Sequence, residues 1–192
     1  MTNIQLSHSK DCRVENKTHN RTYLLMPLFL LAVCLLSACT PTYDWRDVRG
    51  TAAPYSILLP SKPSTHAREI NLGGIRTTMT MTAAEVEQVT FAVATAELPD
   101  ATQAQAALKV MKDTMVKNIS GVVLEEKSKQ EGPLTVINLV AGPPAGAQGN
   151  AKSLHARFVA RERRVYQVMV VGPKQTMPME AIDTFFGSFK TE

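Results

Sequence analysis

Three kinds of hydrophobic pattern follow one another along the chain. An uninterrupted apolar block fills residues 24–36, alternating or continuous apolar runs recur from residue 55 onwards, and two stretches carry apolar residues at helical spacing. The block suits the hydrophobic region of a signal peptide, which runs for about 7–15 residues, and is too short for a membrane-spanning helix of about 20 residues. The pattern therefore predicts an exported chain with a folded part of mixed strands and helices.

The apolar runs after residue 55 predict a sheet. Gly73-Gly74 joins two alternating runs and predicts a β-hairpin. The run Val89–Ala96 carries small or apolar residues on both faces, as in a covered central strand. The predicted strands are 55–60, 69–72, 75–82, 89–96, 122–127, 134–140, 154–162 and 165–171.

Two segments predict helices. Asp100 is a good N-cap, Gln103 completes a capping-box pattern, and an apolar stripe follows at helical spacing. A second helix is predicted from about Pro178 to Phe189, since proline suits a first helical turn. Together the elements predict an α+β fold, with a largely antiparallel sheet of about six to seven strands and two packed helices.

The order of these signals resembles the PsbP/Mog1-type α/β sandwich. The matching segments are YSILLPSKP at 55–63, the hairpin around Gly73-Gly74, the strand at 89–99 before an alanine-rich helix, and the ending at 165–173 and 185–190. The resemblance covers nearly the whole domain, but its motifs are core and turn positions. It implies a sandwich fold and a non-catalytic binding or assembly-support role.

The end of the apolar block carries a more specific motif. Leu36-Ser37-Ala38-Cys39 resembles the lipobox of bacterial lipoproteins. The resemblance implies cleavage after Ala38 and a diacylglyceryl thioether on Cys39. The chain then divides into a signal peptide at 1–38, a lipidated N-terminus with a tether at 39–54, and a single α+β domain at 55–192. The leader before the block is long, and an upstream start keeps the basic residues that a start at Met26 would remove.

The predicted tether contains two aromatic residues, Tyr43 and Trp45, close to the lipid. They are suited to the membrane interface, where amphipathic aromatic rings concentrate. They are equally suited to folding back as an aromatic clasp on the domain. The sequence leaves these two alternatives open.

Removal of the signal changes the charge and the cysteine content. The full chain has 21 Lys/Arg against 17 Asp/Glu, and residues 1–38 hold four and two of these, which leaves 17 against 15, a net charge of +2. This is not the clustered positive excess of a nucleic-acid-binding protein. Cys12 and Cys34 leave with the signal and Cys39 is lipidated, so no thiol remains for a disulfide or a metal site.

The sequence carries no recognisable catalytic or cofactor motif. His66 and His155 remain after maturation without metal-ligand spacing, and no nucleophile-elbow, Walker or dinucleotide motif is present. We therefore expect a protein that is not an enzyme and has no cofactor. His155 alternates with apolar neighbours and is expected on the outer face of its strand.

One basic hairpin is a possible contact surface. Its members are Lys152, His155, Arg157, Arg161, Arg163 and Arg164. Such a surface suits anionic lipid head groups or an acidic partner. The alternative is a solvated strand face whose charges discourage edge-to-edge pairing.

These observations predict a membrane-anchored envelope lipoprotein that acts through protein or lipid contacts, with an envelope protein as partner. Thr40 follows the lipid cysteine where inner-membrane lipoproteins often carry aspartate, which favours the outer membrane of a Gram-negative cell, facing the periplasm. The main alternative is a small-molecule-binding lipoprotein with a cavity between sheet and helix. A hydrolase is a third possibility, without an evident set of catalytic residues.

Overall fold

A large antiparallel sheet forms the centre of the computed structural model, which describes residues 41–132, 134–147 and 151–191. Among these described residues, two α-helices and one 3-10 turn at Lys174–Thr176 accompany the strands. The strands are β1 (Arg46–Arg49), β2 (Tyr55–Leu59), β3 (Ser64–Leu72), β4 (Ile75–Val86), β5 (Val89–Glu97), β6 (Val122–Glu131), β7 (Leu134–Gly142), β8 (Lys152–Arg161), β9 (Arg164–Pro173) and β10 (Lys190–Thr191). The helices are α1 (Ala101–Asn118) and α2 (Met179–Ser188).

The strands belong to two sheets. The large sheet has the order β3-β4-β5-β9-β8-β7-β6, and every neighbouring pair in it is antiparallel. Helix α1 carries the chain from β5, in the middle of this sheet, to β6 at its edge. The small sheet has the order β1-β2-β10. The predicted α+β class, with a largely antiparallel sheet of about six to seven strands and two packed helices, is confirmed.

Side-chain alternation divides the interior into two cores. On β5, Ala92, Ala94 and Ala96 contribute to the core beneath α1. Phe91 and Val93, which alternate with them, contribute to the core shared by β2 and α2. Because successive side chains of a strand point to opposite faces, one buried strand supplies both cores. The large sheet is therefore the middle of three layers.

Local sequence explains two of the element boundaries. Gly73 and Gly74 have φ angles of +63° and +96°, which glycine adopts without the steric penalty of other residues, and they close the hairpin between β3 and β4. The Asp100 carboxylate accepts a hydrogen bond from the Gln103 backbone N–H at 2.8 Å, and this contact caps α1.

The segment predicted as a tether is partly folded onto the domain. Residues 46–49 form β1, which pairs with β2, and the Asp44 N–H donates a hydrogen bond to the Pro60 carbonyl at 2.9 Å. Trp45 meets Phe91 edge to face with ring centroids 6.4 Å apart, and Tyr43 stacks on Trp45. Residues 42–192 belong to one compact unit. The folded part thus begins before the predicted boundary at residue 55, because pairing with β2 orders a segment that has no apolar periodicity of its own.

Strands β3 and β6, at the two edges of the large sheet, are longer than their hydrophobic patterns predict. Most residues of β3 and all residues of β6 are exposed, so strand pairing extends them rather than burial. The predicted cleavage site at Ala38 and the lipidation site at Cys39 lie outside the described residues. Within the described part of the chain, no helix is both long enough and apolar enough to cross a membrane.

Candidate binding site

The basic hairpin forms internal contacts at two of its arginines. The Arg157 Nε–H donates to Asn138 Oδ1 at 2.8 Å, and one terminal nitrogen donates to the Phe186 carbonyl at 3.1 Å. The guanidinium carbon lies 5.4 Å from the centroid of the Phe186 ring. Burial lowers the pKa of Arg157. Arg161 donates to the backbone and side-chain oxygens of Thr191 at 2.9 and 3.2 Å. Both arginines therefore fasten the C-terminal segment to β8.

The other basic residues of the hairpin lie in different surroundings. Arg163 is exposed and pairs with the Glu97 carboxylate, which Arg164 approaches at 3.9 Å. Lys152 is exposed at the start of β8. The predicted contact surface is thus divided between residues that hold the fold together and residues that are open to solvent, and its binding role stays a prediction.

His155 lies in a cleft of about 340 Å³ beside α2. It is half-buried on the face of β8 that α2 partly covers, rather than on an open outer face. Burial lowers the pKa of His155, and the negative charge of Asp183 partly opposes that shift. Glu125, Lys127 and Arg157 also line the cleft. The cleft is therefore a mixed-charge depression that contains a half-buried imidazole.

A second cavity, of about 410 Å³, lies between α1 and the large sheet on the opposite face. It is mostly apolar, and methionines dominate its wall. The lining residues are Arg68, Ile70, Asn71, Leu72, Met79, Met81, Ala94, Met111, Thr114, Met115, Asn118, Gln167 and Met169. We call this space the methionine cavity. Its volume lies within the range of about 300–1,000 Å³ that is typical of small-molecule sites.

The sequence of β5 explains why the methionine cavity exists. Three alternate positions of β5 on the α1 side of the sheet, Ala92, Ala94 and Ala96, carry alanine, so the sheet surface is low there. Longer side chains surround this low floor, with Met79 and Met81 on β4 and Met111 and Met115 on α1. Methionine is unbranched and flexible, so a wall of this kind adapts to the shape of an apolar guest.

One polar side chain lies in the buried part of this wall. Gln167 is 6% exposed and lies opposite Ala94 on β5 and Phe158 on β8. Its Nε2 donates to Met169 Sδ at 3.2 Å. A thioether sulfur is a weak acceptor, so this amide retains unused hydrogen-bonding capacity.

No protein-family model matches the sequence, and no curated protein matches it significantly. Within the described residues, no three His, Cys, Asp or Glu side chains come together in a way that could hold a metal ion.

Sequence reasoning named a cavity between sheet and helix only as an alternative, without residues. Two signals could have located it. Met79/Met81 share one strand face and Met111/Met115 share one helix face, since strand and helix periods are two and about 3.6 residues. The alanines on alternate positions of β5 are the complementary signal.

Proposed function

We propose that this chain is an exported, lipid-anchored envelope protein whose folded domain is a non-catalytic binding module for an apolar small molecule. The anchor rests on the sequence of residues 24–39, in which a signal-length apolar block ends in Leu-Ser-Ala-Cys. Two or more acyl chains, each contributing about 0.8 kcal/mol per buried CH₂, hold a protein stably on a membrane.

The anchor is tested by labelling cells with an alkyne analogue of palmitate. We expect label on the wild-type protein and none on Cys39→Ala, which should also keep its signal peptide. Cys12→Ala and Cys34→Ala are matched controls, since they remove the other two cysteines of the chain. Label that persists on Cys39→Ala would disprove the anchor. Thr40→Asp is expected to move the protein from the outer to the inner membrane of a Gram-negative host.

The binding function rests on one observation, the methionine cavity. A largely apolar space of about 410 Å³ with flexible walls and a few polar groups has the character of a ligand site. The basic hairpin gives less support to a function through protein or lipid contacts, because Arg157 and Arg161 already donate hydrogen bonds to the protein's own backbone. A ligand in the cavity replaces water on apolar walls, which favours binding by the hydrophobic effect.

Binding is tested with N-phenyl-1-naphthylamine, a dye that fluoresces in apolar sites. We expect enhanced fluorescence with the wild-type domain and loss of the signal in Ala94→Met, whose longer side chain occupies the cavity floor. Ala106→Met, on the exposed side of α1, is the control. A ligand at 100 times its Kd stabilises the folded state by about 2.7 kcal/mol, or about 5–10 °C in Tm. Equal fluorescence from Ala94→Met and wild type would refute binding in the cavity.

A protein partner at the β6 edge is the second candidate function. Val122, Val123 and Leu124 are exposed apolar residues at the start of this edge strand. Exposed strand edges pair readily with another chain. A photo-crosslinking residue at Leu124 should capture a specific envelope protein, and one at Lys129 on the same strand should not. Identical products from both positions would refute this contact.

A further inference from the structure

The amide of Gln167 is unusual among the buried groups of the domain. It is more than nine-tenths buried, lines the methionine cavity, and contacts a thioether as its hydrogen-bond acceptor within the described residues. A glutamine amide offers two N–H donors and a carbonyl oxygen with two lone pairs. Buried polar groups in native proteins are nearly always satisfied by better partners than sulfur. A ligand group in the cavity is therefore a chemically suitable further partner for this amide.

The position of Gln167 places this polar group at the inner end of the cavity. It lies on β9, in a row across the sheet with Ala94 on β5 and Met81 on β4. Arg68 lies on β3, three strands from β9, and is exposed. Three strand spacings correspond to about 14 Å. The cavity is therefore long, with a buried amide at one end and a solvated cation at the other.

Charge limits the kind of group that Gln167 can bind. Arg68 is the one ionisable side chain among the residues that line the methionine cavity. A charged ligand group beside Gln167 would be buried without a counter-charge, which costs several kcal/mol. An uncharged hydroxyl or carbonyl loses far less on burial and regains a hydrogen bond from the amide.

We propose that Gln167 is the polar anchor of the methionine cavity, and that the cavity selects elongated apolar molecules carrying one uncharged hydroxyl or carbonyl group. This inference rests on the proposed binding function and names its ligand class. The apolar body of the ligand contacts the methionines, and its polar group hydrogen-bonds the amide at the inner end.

The test replaces the amide and keeps its volume. Gln167→Met is expected to leave the Tm unchanged or raised, because it replaces a buried amide that donates to a weak thioether acceptor with an apolar side chain. Wild type and variant are titrated with N-phenyl-1-naphthylamine, and the dye is then displaced with decan-1-ol, methyl decanoate or decanoate. Gln130→Met, on the exposed strand β6, is the control and should match wild type throughout.

The expected result is a roughly three- to tenfold weaker affinity of Gln167→Met for decan-1-ol and methyl decanoate, measured relative to any change in dye affinity, since one neutral hydrogen bond is lost. Equal affinity of wild type and Gln167→Met for the alcohol, with dye bound by both, would overturn the anchor and leave the cavity function intact. Failure of both dye and alcohol to bind wild type would overturn the binding function itself. Tighter binding of decanoate than of decan-1-ol, lost in Arg68→Met, would show instead that the outer cation selects the ligand.

Discussion

Replacing Arg157 with methionine separates the structural from the surface role of the basic hairpin. The substitution keeps an apolar stem of similar length and removes the guanidinium. It thereby deletes the hydrogen bonds to Asn138 Oδ1 and to the Phe186 carbonyl, together with the cation–π contact to the Phe186 ring. The Phe186 carbonyl, near the end of α2, then loses its hydrogen bond from the half-buried guanidinium of Arg157.

The expected loss of stability is roughly 2 kcal/mol. Hydrogen bonds to charged groups contribute about 1.5–3 kcal/mol each and a cation–π contact about 0.5–1 kcal/mol. The cost of removing a half-buried charge from water, visible in the lowered pKa of Arg157, offsets part of this sum. For a domain of about 150 residues, a loss of 2 kcal/mol lowers the Tm by about 4–8 °C.

Urea unfolding followed by far-ultraviolet circular dichroism measures this loss. Arg163→Met is the matched control, because Arg163 lies in the adjacent turn, is exposed, and forms a surface ion pair worth about 0–1 kcal/mol. We expect a clear drop in the urea midpoint for Arg157→Met and a small change for Arg163→Met. Equal midpoints for the two variants would refute the structural role of Arg157.

Three further predictions concern local features. Because burial lowers the folded-state pKa of His155, the unfolded chain takes up a proton first as the pH falls below about 6.5, and stability then declines down to the lowered pKa. His155→Gln should flatten this decline in a pH series of urea midpoints, and an unchanged decline would contradict the assignment. Asp100→Ala removes the N-cap of α1 and should cost about 1 kcal/mol in the same unfolding assay, a loss that Asp100→Asn should largely avoid. Gly172→Ala would place its Cβ 2.8 Å from a Val89 methyl group, so we expect about 1–3 kcal/mol of destabilisation by calorimetry, and an unchanged Tm would contradict this packing.

The elements that sequence reasoning located well are those specified by local chemistry. Gly73-Gly74 adopts the positive φ angles that a tight hairpin requires, and Asp100 forms the predicted cap. Strand β1 was missed because three of its four residues are charged and the strand depends on β2 for its hydrogen bonds. Non-local pairing of this kind leaves no hydrophobic period in the sequence.

The sequence predicts the contacts and cavity of the candidate site less completely than it predicts the fold. Alternation placed Arg157 and Arg161 on one strand face, but not the C-terminal carbonyls that they reach about thirty residues further along the chain. The methionine cavity depends on the position of α1 over the large sheet relative to the alanines of β5, and a residue pattern does not contain that position. The partner of the Gln167 amide is likewise a tertiary property.

The pairing of β1 with β2 has a consequence for where the domain can work. In a mature chain that starts at an acylated Cys39, the aromatic clasp begins four residues later at Tyr43, and four extended residues span at most about 14 Å. If the proposed anchor is present, the domain would therefore stay within a thin layer of water along the lipid surface. The clasp packs on one face of the large sheet and the methionine cavity opens on the other. We therefore expect the cavity to exchange its apolar ligand with molecules at that lipid surface, on the side of the domain opposite to the aromatic clasp.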